Sequence, residues 1–356
     1  MELLKKLYEI HSMSGREKKL KRFVRRWMSV YVPDAKMSND SNGNIYVVKG
    51  ESETYPVVVA HLDQVQNDHS RDFQALQAGD IILGYSAKSR AQQGLGADDK
   101  NGIWVALKCL EKYDNIKIAL FVSEEVGCVG SGSADMGFFS DARFVLQCDR
   151  KGAHDLITEC GWTKICGSDF VEAINPSQFG YKEATGLMTD VLMLKERGLE
   201  VSAVNISCGY YQPHTDEEIT VISDLLNCLR FVEHIIETCT GVYHHEYNYY
   251  AAAAYYNKNS YLYNDDDDLL AGETFNSIND DEPEEIDESD NDMMITLYDN
   301  VVEFLCQYPN CSKDGVSWYL ERKYPEKVIK DSTLTTLYDL AKYYIHEQGM
   351  GTAGDA

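Results

Sequence analysis

The sequence predicts an α/β fold: a mostly parallel mixed sheet with helices on both faces, then an acidic linker and a small helical module. Three observations predict it. Short β-branched runs alternate with stretches of helical period. Several of those runs, such as "YPVVVAHLD", "IKIALFVSEE" and "VSAVNISCG", are continuously apolar, as strands covered on both faces are. Beyond Val242 the composition changes abruptly to tyrosine, alanine and then acid.

In chain order, "SGRE" (Ser14 to Glu17) reads as a capping box, with Ser14 serving the exposed amides and Glu17 reaching back. It opens the helix "REKKLKRFVRRWMSVYV", whose Leu20, Phe23, Val24 and Trp27 recur at helical spacing. "GNIYVVKG", "YPVVVAHLD" and "DIILGYS" read as strands, "NGIWVALKCLEKY" as a helix, and "IKIALFVSEE", "RFVLQCD" and "DLITE" as strands again. "TDVLMLKERG" is a short helix, "VSAVNISCG" a strand, and "DEEITVISDLLNCLRFVEHIIETC" one long amphipathic helix. The first domain is expected to span 1–242. Residues 243–263 hold eight tyrosines and residues 265–292 fourteen acids without Lys or Arg, so 243–292 is expected to be a disordered tether. Residues 293–348 regain a globular composition with three short amphipathic helices, and 349–356 form a tail.

The formal net charge of −25 excludes non-specific nucleic-acid binding, which needs cations facing phosphates. The basic cluster from Lys5 to Arg26 reads as a solvated helix face. Ten cysteines lack paired spacing apart from Cys306 and Cys311, so neither a disulfide framework nor a zinc knuckle is expected. No signal-peptide pattern or membrane-spanning apolar run is present, and a reducing cytoplasm is the expected setting.

An open sheet of this kind presents ligand chemistry at the carboxyl ends of its strands. The polar residues emerging there are His61 and Asp63, Glu124 and Glu125, Asp149, and His214 after a glycine turn. Asp98 and Asp99, in "GLGADDKNG", stand at a helix start, where free amides favour anions. Each motif alone is common; a His-x-Asp arises by chance and a Glu-Glu pair is usually solvated. The joint pattern differs, because anions crowded at one rim repel unless a cation joins them, and these residue types bind first-row divalent metals.

Through His61-Leu62-Asp63, Gly96-Ala97-Asp98-Asp99-Lys100, Glu124-Glu125, Asp149 and His214, the chain resembles the co-catalytic dizinc exopeptidases and deacylases, the superfamily of peptidase T, carboxypeptidase G and glutamyl-type aminopeptidases. The resemblance covers about residues 5–240 and leaves the C-terminal third unexplained. It implies two divalent cations, zinc first, with cobalt or manganese as ions the same donors accept. It implies Asp98 as the bridging ligand and Asp99 as a structural neighbour, although the two could exchange roles. His61 and Asp149 would complete one metal, Glu125 and His214 the other. Asp63 would orient His61, and Glu124 would be the general base.

There are departures. Peptidase T and carboxypeptidase G carry a dimerisation lid between the positions of Asp149 and His214, but only 64 residues intervene here, and core elements fill them. The chain is thus closer to lid-less aminopeptidases, in which a tyrosine can stabilise the oxyanion; Tyr210 and Tyr211 are the candidates. Arg150 and Lys151 follow Asp149 where the family has small residues, and either bind a substrate carboxylate or pair with nearby acids. "GLMTDV" resembles a substrate-side loop, with Asp190 as its aspartate. The expected activity is an aminopeptidase on short peptides. The alternatives are a deacylase of N-acyl amino acids on the same site, and an inactive scaffold whose 243–356 region binds a protein partner.

Overall fold

The computed structural model describes residues 1–66, 69–161 and 163–247, together with 284–285 and scattered residues of 297–342. The chain divides into two units, Met1–Ala252 and Ala253–Ala356. The first begins with helices α1 (Glu2–Tyr8) and α2 (Lys18–Tyr31) and strands β1 (Lys36–Asn39), β2 (Ile45–Lys49) and β3 (Tyr55–His61). Strands β4 (Phe73–Ala78), β5 (Ile81–Ser86) and β6 (Ala91–Gln93) precede helix α3 (Ala97–Lys112) and strand β7 (Ile116–Phe121). Next come α4 (Val129–Gly132), β8 (Ala142–Arg150), β9 (Asp155–Cys160), β10 (Thr163–Lys164), α5 (Ser168–Ile174) and β11 (Lys182–Gly186). The unit closes with α6 (Asp190–Glu196), β12 (Ala203–Ser207), β13 (Tyr210–Tyr211), β14 (Ile219–Val221) and α7 (Ile222–Thr238).

The main sheet has the order β1-β2-β7-β3-β8-β12-β9-β10, with β11 beside β9. Its four central strands, β7, β3, β8 and β12, are mutually parallel. β1 and β2 run antiparallel to their neighbours, and β9 is antiparallel to β12 and β10 but parallel to β11. Every residue of β3 and β7 is buried, as continuous apolar runs require when helices cover both faces. One core face gathers α1, α2, α3 and α7; the other gathers α6 with Phe139, Leu199 and Val201. The four parallel strands end at one edge, at His61, Phe121, Arg150 and Ser207.

Three local expectations change. "DIILGYS" does not join the main sheet; β5 pairs with β4, β6 and β14 in a separate small sheet. The long helix expected from Asp216 begins only at Ile222, because β-branched Ile219–Val221 pair with β5 first. Ser14 does not cap α2, whose N-cap is Glu17 without a side-chain cap bond. The Ser14 hydroxyl instead donates to Asp63 Oδ2 at 2.7 Å.

The first unit runs past the expected end at Val242: Ser202 N–H donates to Tyr243 O, His245 N–H donates to Glu200 O, and Tyr247 is buried. In the second unit, helix α8 (Lys313–Lys323) lies between segments with further helical backbone, and Leu297, Val301, Leu305, Val316, Leu320, Leu334 and Leu337 form its small core. Two short strands, β15 (Glu284–Glu285) and β16 (Lys327–Val328), pair in parallel there. The rest of the tether expected over 243–292, Cys306, Cys311 and the tail 349–356 lie outside the described residues. Among the described residues, no helix is long and apolar enough to cross a membrane.

Candidate metal centre

The centre is built around the turn that enters α3. Gly96 has a left-handed backbone (φ 63°), and a Cβ there would fall 2.7 Å from the Gln64 amide, so glycine suits the position twice over. Asp98 and Asp99 keep non-helical dihedrals and are joined by a cis peptide bond. Their carboxylates diverge. Asp99 accepts from Gly102 N–H at 2.9 Å and from the backbone N–H of His61 at 3.1 Å, locking the helix start to the end of β3. A Cβ on Gly102 would lie 2.3 Å from Asp99 Oδ1, which explains the glycine of "DDKNG".

Asp98 faces the other way, and its two oxygens address two imidazoles. Oδ1 is 3.0 Å from His61 Nε2, and Oδ2 is 3.4 Å from His214 Nε2. Asp149 Oδ1 completes the first group at 3.6 Å from His61 Nε2. Glu125 Oε2 completes the second at 3.3 Å from His214 Nε2. Two triplets with metal-ligand spacing result, His61–Asp98–Asp149 and Asp98–Glu125–His214, sharing Asp98. Asp99 belongs to neither.

Asp63 sits behind His61. Its Oδ1 lies 3.5 Å from His61 Nδ1 and accepts the Glu124 N–H at 2.9 Å, while Oδ2 accepts the Glu125 N–H at 3.2 Å. One carboxylate thereby fixes both an imidazole and the turn that carries the Glu-Glu pair. Burial opposes its ionisation, but His61, the Ser14 hydroxyl and the Glu124 amide hold its pKa below the usual range.

The electrostatics ask for cations. Two like charges about 4 Å apart repel by about 4 kcal/mol at an effective dielectric of about 20, several times the net worth of a hydrogen bond. Burial, then the Asp98 charge, pushes the carboxyls of Asp149 and Glu125 up. Burial also raises Glu124, where His61 pulls the other way and Asp149 adds to the rise. Hydrogen bonds to Asp98 and Glu125 push the imidazole of His214 up to about 11. His61 is raised too, because Asp149, Asp63 and Asp98 outweigh the opposing effect of its burial. Glu125 Oε1 is buried with no hydrogen-bond partner. Imidazole and carboxylate donors, a shared carboxylate and an unpartnered buried oxygen fit a pair of divalent cations better than they fit water or protons.

The remaining sequence candidates separate. Tyr210 is buried with its hydroxyl 3.5 Å from Asp149 Oδ1, beside the donors. Tyr211 donates to Asp224 on α7 at 2.7 Å instead. Arg150 pairs with Asp155 at 3.3 Å, the second of the two alternatives open to it. Asp190 is fully buried, and its carboxylate lies within 4.8 Å of the Glu124 carboxylate and the Cys128 thiol.

Two contributors had no role in the sequence reading. Buried Glu218 accepts the N–H groups of Gly96 at 2.6 Å and Asp98 at 3.2 Å, holding the turn that carries Asp98. Fully buried Lys100 donates to Gln64, and burial brings its pKa down to about 7 despite the opposing charge of Glu218. The one available signal was position: Glu218 falls four residues after His214, inside a run that reads as helix.

No protein-family model and no curated protein matches the chain. The first unit has the α/β fold of solved peptidase structures. Similar structures include the aminopeptidase PepT of Bacillus cereus, at 13% identity and TM-score 0.51, covering 66% of this chain and 96% of that one. A tripeptidase of Staphylococcus aureus aligns at 14% identity and TM-score 0.52 with the same coverages. An aminopeptidase of the archaeon Desulfurococcus kamchatkensis aligns at 19% identity and TM-score 0.50, over 66% of this chain and 94% of that one. At such identities the likeness is one of fold.

Proposed function

We propose that the first unit is a metal-dependent hydrolase, an aminopeptidase that removes N-terminal residues from short peptides. The carrying observation is Asp98, whose two oxygens face two separate imidazole-carboxylate groups. His61, Asp98 and Asp149 would hold one divalent cation, and Asp98, Glu125 and His214 the other, zinc being the ion such donors favour. Bound there, the cations supply Lewis acidity, polarising the scissile carbonyl and making water acidic enough to attack at neutral pH. Glu124, part-buried beside the donors but in neither triplet, takes the proton of the attacking water on its carboxylate and passes it to the leaving amine. Asp63 holds His61 and the Glu-Glu turn in register, and Tyr210, whose hydroxyl lies 3.5 Å from Asp149 Oδ1, would donate to the developing oxyanion. Eight free buried thiols in the described residues support a reducing, cytoplasmic setting.

The test is metal analysis with a substrate panel. Purified protein is expected to carry close to two divalent ions per chain and to lose hydrolysis of free-amine peptides on chelation. Glu124→Ala is expected to keep its metal and lose about 10²- to 10⁴-fold in turnover. Wild-type rates in Glu124→Ala overturn the assignment of the base. Cleavage confined to N-acyl substrates replaces the peptidase with a deacylase.

A further inference from the structure

Beneath the donors lies a buried polar network that this reaction does not use. Gln147 precedes Asp149 by two residues on β8, is fully buried, and has its amide occupied on both sides. Its Nε2 donates to Asp149 Oδ2 at 3.0 Å and to Asp190 Oδ2 at 3.2 Å. Its Oε1 accepts from the Thr189 hydroxyl at 2.6 Å and the Val191 N–H at 3.1 Å. Asn205, its register partner on β12, donates to Asp149 O at 2.8 Å and to Thr189 Oγ1 at 3.1 Å, and accepts the Asp149 N–H at 2.9 Å. A single amide therefore ties a metal donor to the first turn of α6.

That turn reaches the base from below. The carboxylates of Asp190 and Glu124 and the Cys128 sulfur lie within 4.8 Å of one another, and the Cys128 thiol donates to Glu124 Oε1 at 3.3 Å. Cys128 is fully buried in a left-handed conformation (φ 54°), and its N–H and that of Gly127 donate to Glu124 O at 2.7 and 2.8 Å. The loop closes further through Val129 N–H to Ser123 O and Gly130 N–H to Val122 O, both at 3.0 Å. Glycine would take this backbone with less strain; cysteine brings a donor that reaches Glu124.

We propose that Cys128 and Gln147 are positioning residues for the hydrolytic reaction, Cys128 aiming the Glu124 carboxylate and Gln147 setting Asp149 and Asp190 against it. The inference rests on the proposed function, which makes Glu124 the base and Asp149 a ligand. Neither residue touches the reacting atoms, so the expected signature is selective. Cys128→Ala should keep its metal, its KM and its fold, yet lose about tenfold in kcat, the worth of one hydrogen bond to a charged group. Cys128→Ser, whose hydroxyl donates from the same place, should recover most of that loss. Gln147→Glu still accepts from Thr189 and Val191 but, as a carboxyl, can donate to at most one of Asp149 and Asp190, and it should weaken metal binding about tenfold.

Kinetics with a short peptide, melting curves and Co2+ titration of the full chain read all three. A Cys128→Ala variant with wild-type kcat overturns the thiol's role, as does a Cys128→Ser variant no better than Cys128→Ala. Unchanged Co2+ affinity and visible spectrum in Gln147→Glu overturn the clamp. If wild-type protein binds Co2+ but hydrolyses no peptide or N-acyl substrate, the proposed function fails while the Co2+ comparison still decides the Gln147 clamp.

Discussion

The two halves of the donor cluster share one carboxylate and differ in almost everything else. His61 is 1% exposed and is braced by Asp63 at Nδ1 and by Asp99 at its backbone. Its companion Asp149 is gripped by Gln147 and Asn205. His214, by contrast, is 50% exposed, has a left-handed backbone (φ 64°), and sits on the loop between β13 and β14, where its contacts are Asp98 and Glu125. One position is built into the sheet; the other is closed by a loop. Pre-organised donors lose little freedom on binding a cation, whereas a loop histidine must be ordered to do so. For the proposed pair of cations, unequal affinities are therefore expected: a deep site that should retain its ion and an outer site that should exchange it.

The largest effect should come from the residue common to both. Asp98→Ala is expected to empty both positions and abolish hydrolysis, measured by metal analysis and turnover; retention of two ions would refute a shared ligand. Next, His214→Ala should drop the metal content from near two to near one, while His61→Ala should empty the deep site. His61→Ala should also destabilise the metal-free fold by about 3 kcal/mol, because it leaves buried carboxylates unpaired. Equal stability losses in denaturant titrations of the two variants would erase the distinction between deep and outer positions.

A smaller effect is expected one layer out. Ser14→Ala removes a donor from Asp63, which orients His61, and should weaken deep-site metal affinity about tenfold without touching the outer site. A competitive chelator titration checks it.

The smallest is a pH effect on the metal-stripped protein. The imidazole of His214 rises from 6.5 to about 11 on folding, so its ion pairs with Asp98 and Glu125 stabilise the fold fully below about pH 6.5. That contribution is lost as pH climbs through about 11. Half-exposure of the ring keeps it modest. Melting temperatures of stripped protein should fall between pH 7 and 10, and those of loaded protein should fall less, since a metal replaces the proton.

Much of the fold was legible because it follows from periodicity. Continuous apolar runs mark the central strands, and the polar residue that ends each run marks the sheet edge. Beyond β5, the small sheet was not legible: β4 is largely exposed, β6 is only three residues long, and β14 hides at the front of an amphipathic helix. Ser14 fits a local capping pattern, yet its hydroxyl bonds across 49 residues to Asp63. Nothing in one sequence separates those alternatives, since both satisfy the same hydroxyl.

By itself, the sequence determined which side chains leave the parallel strands at their carboxyl ends and that these are carboxylates and imidazoles, because alternation and apolar run length are local properties of the chain. Only the tertiary structure decided that Asp98 and not Asp99 faces both imidazoles, that Arg150 pairs with Asp155, and that Glu218, Gln147 and Cys128 stand behind the donors. The reason is physical. A side chain's choice among partners depends on distances between segments far apart in the chain, and those distances exist only once the core has packed.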